Sequence, residues 1–280
     1  MRLLLIRPYH FTTNLQAFES NVFMSKSIED IQDAALKEHQ GLIDCLKEHH
    51  VPICVYDNQN PETPDAVFAN NWLSVHPDLN TMVIYPMYLE NRKKEVREDI
   101  LHSLPYQRLD LRESKSVLEG TGSMVFDHEN RIIYAAISSR TDPYLVQKVA
   151  YQLGYKCICF HTSYKQKPIY HTNVMMSIGE SWVVVCLEVI DVLDRERVYH
   201  SLKCSRKHIL YLTLTQMEAY CGNCLEVINI FQQRYTIMST RAYDAFTPYQ
   251  KKYLGPILHV PLDTIETYGG GGVRCCLAVV

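Results

Sequence analysis

The chain has 280 residues and a mass of 32.5 kDa, and 47% of it is hydrophobic, enough for a sizeable core in one or two domains. Its 28 basic and 31 acidic residues give a net charge of −3, with no basic block or tail, which argues against a nucleic-acid partner and for a small polar substrate. The stretch from Met1 to Pro8 is interrupted by charge too early to read as a signal peptide, and no apolar run is long enough to cross a membrane, so a cytoplasmic location is expected.

Ten cysteines without an export signal point to reduced thiols rather than a disulfide framework. The one CxxC, Cys221 to Cys224, has no second ligand pair at zinc-site spacing, and neither a metal nor a cofactor is expected.

In chain order, residues 1–8 read as a buried strand. A helix is predicted to open at Ser27, with Asp30 three residues on and Ile31, Ala35, Leu42 and Leu46 on one face. A strand from Val51 to Tyr56 follows. Then a unit recurs. Ala66 to Val75 and Met82 to Tyr85 read as strands, Arg92 to Leu104 as a helix, and Arg108 to Leu111 as a strand. Ser123 to Phe126 and Ile132 to Ile137 lead to a helix capped by Asp142, with Pro143 at its first position, and to a strand from Cys157 to Phe160. Val174 to Ile178, Trp182 to Ile190, a helix from Asp194 to about Leu202 and His208 to Leu212 form a third round. Leu225 to Ile230, Tyr235 to Ser239, a helix around Ala242 to Tyr253 and Pro256 to Val260 form a fourth.

This is β-β-α-β four times, with a repeat of ~55 residues. The C-terminal strand, Leu277 to Val280, completes a fifth copy if it pairs with the N-terminal strand. The predicted fold class is therefore α/β: a five-bladed pseudo-symmetric propeller of ββαβ modules, closed by its two terminal strands into a single domain over 1–280, without exposed sheet edges. An ordinary α+β domain with incidental hairpins is the alternative.

Four polar stretches fall at corresponding strand ends: Pro64 to Trp72, Leu118 to Gly122, Tyr170 to Asn173, and the turn Gly269 to Gly272 leading to Arg274, Cys275 and Cys276. A carboxylate, a histidine and a thiol converging on one channel would make a Cys–His site with an orienting acid. Each also has a plain structural reading. Glu119 and Asn71 suit turns, most histidines are structural, and the glycine run suits a flexible terminus with two buried cysteines.

Taken in order and spacing, these stretches together with Ser139-Arg140-Thr141 resemble the guanidino-group-modifying superfamily, which holds arginine deiminase, dimethylarginine dimethylaminohydrolase and the amidinotransferases. The resemblance covers nearly the whole chain and is nearest to the bacterial citrulline ureidases; it too implies a five-bladed α/β-propeller. It implies Cys275 as nucleophile, His171 as general acid and base, and Glu119 as its acidic partner. Arg92 and Arg140 match the pair holding a substrate α-carboxylate, and Asp65 matches the carboxylate receiving the α-amino group. Cys276 is expected on the opposite face of a strand.

Deiminases carry aspartates where this chain has Asn71 and Asn173. Two amides in place of two charges disfavour a guanidinium and suit a neutral ureido group, which both donates and accepts. The expected activity is thus hydrolysis of citrulline to ornithine, ammonia and carbon dioxide. Arginine deiminase, dimethylarginine hydrolase and an inactive ligand-binding propeller are the alternatives; a cysteine peptidase lacks its local signatures. The expected partner is a small amino-acid substrate, with room left for a homo-oligomer.

Overall fold

The computed structural model describes residues 2–18, 20–27 and 30–280. Its fifteen strands form five separate three-stranded sheets around a common axis. In chain order the strands are β1 Leu3–Arg7, β2 Ile53–Asp57, β3 Leu73–His76, β4 Thr81–Ile84 and β5 Gln107–Asp110. They continue with β6 Val125–Asp127, β7 Ile132–Ala136, β8 Lys156–Phe160, β9 Met176–Ile178 and β10 Trp182–Val185. The last five are β11 His208–Tyr211, β12 Leu225–Ile228, β13 Arg234–Ser239, β14 Ile257–Val260 and β15 Ala278–Val279.

Each sheet has one grammar. Its middle strand runs antiparallel to the strand nearest the axis and parallel to the outer one, as in β3-β4-β5. The parallel step needs a crossover, and a helical segment supplies it. The fifth sheet is assembled from both ends of the chain: β1 pairs antiparallel with β15 through Leu3–Val279 and Leu4–Ala278, and parallel with β2. Reciprocal backbone hydrogen bonds between Arg2 and Val280, at 3.1 and 2.8 Å, extend that closure.

The middle strands are the apolar ones, because they are covered on both faces. Leu3 to Ile6 and Trp182 to Val185 are all buried. Outside them the helix Gln32–Glu48 turns Ala35, His39, Leu42, Ile43 and Leu46 inward. The helix Pro143–Leu153 starts under the Asp142 cap, which accepts from the Leu145 N–H, and stops at Gly154 with φ 69°. A left-handed stop of that kind suits a residue without Cβ.

Several predicted boundaries shift. The first long helix begins at Gln32 rather than Ser27, and the Asp30 carboxylate accepts from the Gln32 N–H in its place. The predicted helix 92–104 is two short ones, Glu90–Lys93 and Glu98–Ser103. Between them Arg97 is extended and sends its guanidinium to the Asp57 carbonyl, while Glu98 and Asp99 restart the helix at its favoured electropositive end. Pro248 splits the predicted helix 242–253 into Thr240–Ala245 and Pro248–Tyr253, since its ring cannot continue a preceding helix. The strand predicted from Ala66 shortens to Leu73–His76, and that from Trp182 stops at Val185.

The ring also differs from a sheet without edges. The five sheets share no ladder with one another, so each keeps an inner and an outer edge strand of two to five residues. Short edges in a radial array offer little template for pairing. The inner strands β3, β6, β9, β12 and β15 stand side by side around the axis.

Candidate active site

A tight turn leads into each inner strand, and the site is built from those turns. Ala69–Asn71 precedes β3, Gly120–Ser123 precedes β6, Thr172–Val174 precedes β9, and Val273–Cys276 precedes β15. Before β12 the Asn223 N–H closes a turn on the Tyr220 carbonyl at 2.8 Å. Glu119 and His171 occupy the same position, the residue capping the start of the turn, in neighbouring blades. The pseudo-symmetry of the fold therefore aims five equivalent positions at one place.

The structure brings the residues singled out from sequence together. Asp65, Asn71, Arg92, Arg140, His171 and Cys275 line one small cavity, with Tyr170 and Gly269 to Gly271 also in its wall. Glu119 lies just behind it, and its Oε2 accepts from His171 Nε2 at 2.7 Å. That contact fixes the imidazole with Nδ1 on its other side, where Gly122 leaves room: a Cβ there would sit 2.8 Å from Nδ1 and 2.4 Å from Asn71 Nδ2.

Burial sets the protonation states. It pushes His171 down to about 4; the Glu119 hydrogen bond opposes this, and the Arg140 and Arg92 charges add to it. Burial alone would raise Glu119, but Arg140, the His171 hydrogen bond and Arg92 together hold it far below the usual carboxylate range. Burial pushes the Cys275 thiol up, against the Asn223 and Asn173 hydrogen bonds and the charge of Arg274. At neutral pH the resting pair is a thiol and a neutral imidazole.

Two amides touch the sulfur: Asn223 Nδ2 at 3.3 Å and Asn173 Nδ2 at 3.5 Å. Asn223 Nδ2 also donates to the Asn173 carbonyl at 3.0 Å, which ties adjacent turns together. Asn71 Nδ2 and Asn173 Oδ1 are buried without a partner.

At the other end of the cavity sit the charges. Arg92 is clamped by Glu95 at 2.8 and 3.0 Å, donates to Asn71 Oδ1 at 3.0 Å, and lies 3.5 Å from Glu119 and 3.8 Å from Asp65. Arg140 reaches Glu119 at 3.4 Å and Ser20 Oγ at 2.8 Å, stacks over Tyr170, and keeps its Nε unpartnered. Asp65 accepts from Asn14 Nδ2 at 2.7 Å, leaving Oδ1 unpartnered. Burial raises the Asp65 carboxyl, and Arg92 and Asn14 oppose that rise.

Cys276 departs from expectation. It lies in the helical turn Val273–Cys276, not in a strand, and its thiol reaches back to the Gly272 carbonyl at 3.6 Å. Alternation of a strand does not separate the two cysteines; the rotation of the turn does. Tyr170 donates its hydroxyl to the Gly270 carbonyl and Asn21 Nδ2 reaches the same oxygen at 3.3 Å, which holds the glycine run against the cavity.

Sequence reading left Asn223, Glu95, Tyr170, Asn14, Ser20 and Asn21 unassigned. Asn223 stood inside the CxxC, whose sulfurs instead contact the Ala242 carbonyl and Ser177. Its signal was position, since it precedes β12 as Asn71 precedes β3. Asn14, Ser20 and Asn21 reach the site from either side of the short helix Leu15–Phe18, where the sequence carries no motif that marks them.

Five ββαβ blades with a Cys–His–Glu cluster at their turns define the guanidino-group-modifying superfamily, a class of hydrolases and transferases built on a cysteine. Residues 7–280 match the family described as N,N dimethylarginine dimethylhydrolase, eukaryotic, and the chain belongs to that family. No curated protein sequence matches it. Among solved structures it is similar to the N-terminal domain of ArgZ, an arginine dihydrolase from the ornithine-ammonia cycle in cyanobacteria, in a form covalently bound to a reaction intermediate. The identity is 16% over 99% of this chain and 96% of that one, with a TM-score of 0.81. It is similar also to AgrE in complex with L-arginine, at 18% identity and TM-score 0.81, covering 99% of this chain and 40% of that one. A third is the dimethylarginine hydrolase DDAH from Pseudomonas aeruginosa in complex with citrulline, at 14% identity and TM-score 0.70, covering 99% and 98%. The chain thus spans about 40% of full-length ArgZ and of AgrE. Among the described residues no helix is long and apolar enough to cross a membrane.

Proposed function

We propose that this protein hydrolyses the ureido group of citrulline through a covalent intermediate on Cys275, giving ornithine, ammonia and carbon dioxide. The observation that carries this reading is the character of the reacting end of the cavity. The side chains touching the sulfur are amides, Asn173 and Asn223, and the third amide, Asn71, turns an unpartnered buried Nδ2 beside His171. A ureido oxygen can accept from such a donor, and ureido N–H groups can donate to amide oxygens. A guanidinium would have to be desolvated there without a carboxylate beside the sulfur.

The charged end suits an amino-acid head. Arg140 offers its unpartnered Nε to a carboxylate, with Arg92 held beside it by Glu95. The unpartnered Oδ1 of Asp65 suits an ammonium.

His171 Nδ1 takes the proton of the Cys275 thiol, and the thiolate forms a C–S bond to the ureido carbon. The imidazolium, stabilised by Glu119, gives that proton to the departing δ-nitrogen as the C–N bond breaks, leaving a carbamoyl thioester. His171 next takes a proton from water, whose oxygen attacks the thioester carbon. The proton returns to sulfur, and the released carbamic acid decays to ammonia and carbon dioxide.

Arginine or a methylarginine is the second reading. It is favoured by the family match and by the arginine dihydrolase described for the similar ArgZ. Incubation with citrulline, arginine and N,N-dimethylarginine in separate reactions, with products identified by mass spectrometry, tests both. Ornithine from citrulline alone is the expected result, abolished by Cys275→Ala and retained in Cys276→Ala. Citrulline accumulating from arginine or dimethylarginine would show that Asn71 and Asn173 do not set substrate charge.

A further inference from the structure

A second cavity, separate from the one that holds Cys275, lies along the axis. It is a chamber of about 600 Å³ enclosed by the inner strands β3, β6, β9, β12 and β15, and it shares no lining residue with the catalytic cavity. Consecutive residues divide between the two: Cys275 lines the catalytic cavity and Arg274 lines the chamber. Asn173, which touches the Cys275 sulfur, forms part of the partition from the chamber side. A volume of that size accommodates a small organic molecule.

Its chemistry is lopsided. The walls are largely apolar, with Leu73, Val75, Val125, Phe126, Met176 and Ile178 among them. The charged side chains that line it, Arg274 aside, are already matched. Lys207 meets Glu129 at 2.8 Å and Asp127 at 3.6 Å, Arg234 meets Glu180 at 2.6 Å and Glu226 at 3.2 Å, and Asp78 meets Arg131 at 3.5 Å. The hydroxyls are matched as well, Ser74 with His76 and Tyr85, and Ser177 with Cys224. Arg274 is the exception. Its Nη1 donates to the Leu277 carbonyl at 2.6 Å, and among the described residues no carboxylate lies within ion-pair distance of it.

A lone guanidinium amid apolar walls is a half-made ion pair. The missing half is a single negative charge on an apolar body. A dianion would bring more charge than the Arg274 guanidinium can match, and a neutral lipid would leave that guanidinium bare.

We propose that the chamber is a binding site for a small amphipathic monocarboxylate, its carboxylate on the Arg274 guanidinium and its aliphatic body along the inner strands. A planar carboxylate accepts two parallel N–H bonds from one guanidinium, which fixes the head while the tail fills the space. This site is separate from the amino-acid cavity, and its occupancy does not depend on which substrate that cavity turns over.

Isothermal titration calorimetry with octanoate as the probe, on the full chain, tests it. One octanoate binds per chain, and octanol, with the same tail and no charge, binds at least about tenfold more weakly. Arg274→Met weakens octanoate at least about tenfold while leaving octanol unchanged, and Arg274→Lys recovers part of the loss. Ile178→Trp, which fills the chamber from the end of β9, five residues beyond Asn173, abolishes binding of both. No saturable binding of octanoate to the unmodified protein overturns the proposal. So does equal affinity for octanoate and octanol, a result that stands even if the Arg274 variants fail to fold. Octanoate affinity unchanged in folded Arg274→Met or Ile178→Trp overturns the assignment to this chamber.

Discussion

The proposed chemistry at Cys275 turns on a thiol and an imidazole that burial keeps neutral. Buried His171 stays an imidazole down to a pKa of about 4, below the usual histidine value, because the charged form would lose its water. The sign follows directly. A base with a lowered pKa keeps its accepting form as pH falls through 6.5 and loses it only near 4. The acid limb of kcat/KM should therefore lie near 4, read from initial rates between pH 3.5 and 8 with circular dichroism confirming the fold at each point. A limb at 6.5 would mean an imbalance between His171 burial and the Glu119 contact quite different from that seen. The amides show the limit of reading residues singly. Asn71 and Asn173 were legible as departures from a motif, while Asn223 looked like one member of a CxxC, because nothing in sequence says which thiol it faces.

The element that matters most is the single helical turn ahead of β3, β6, β9 and β15, with a hydrogen-bonded turn in its place ahead of β12. Sequence alone predicts strand through part of these turns, as in Ala66 to Val75, because three or four buried residues carry no period that separates a helical turn from a strand. What the sequence did mark was the glycines. Gly120 has φ 48°, and a Cβ on it would lie 2.5 Å from the Asn70 carbonyl oxygen; Gly122 packs equally tightly on Asn71 and His171. Gly122→Ala is expected to displace both side chains and lower kcat at least about a hundredfold, in line with the cost of misplacing catalytic groups by an ångström. Thermal unfolding should move by only a few degrees, because the turn backbone itself tolerates a side chain at that residue. A Gly122→Ala protein with unchanged kcat would remove His171 and Asn71 from the reaction.

At the scale of the molecule, closure is made by few bonds: the chain ends meet through the two register pairs of β1 with β15 and the reciprocal bonds of Arg2 with Val280. Cys275 lies only three residues before β15, so the proposed nucleophile is placed by that seam. Leu4, fully buried and paired with Ala278, sits in it. Leu4→Ala should cost about 2–5 kcal/mol by urea unfolding, the usual range for a buried leucine, and should depress activity at denaturant concentrations where the rest of the ring survives. Equal loss of activity and of global structure would show that the seam opens only with the whole ring. The sequence by itself determined the repeat, the order of strands and helices within it, and the residue types able to do the chemistry, because periodicity and turn chemistry are local. Tertiary structure decided the rest: which turns share an axis, that Asn223 and not the CxxC sulfurs lies against Cys275, that Arg140 reaches Glu119, and that Arg274 faces a second chamber. Those are contacts between residues tens to hundreds of positions apart, and only the closing of the ring brings them within a hydrogen bond of one another.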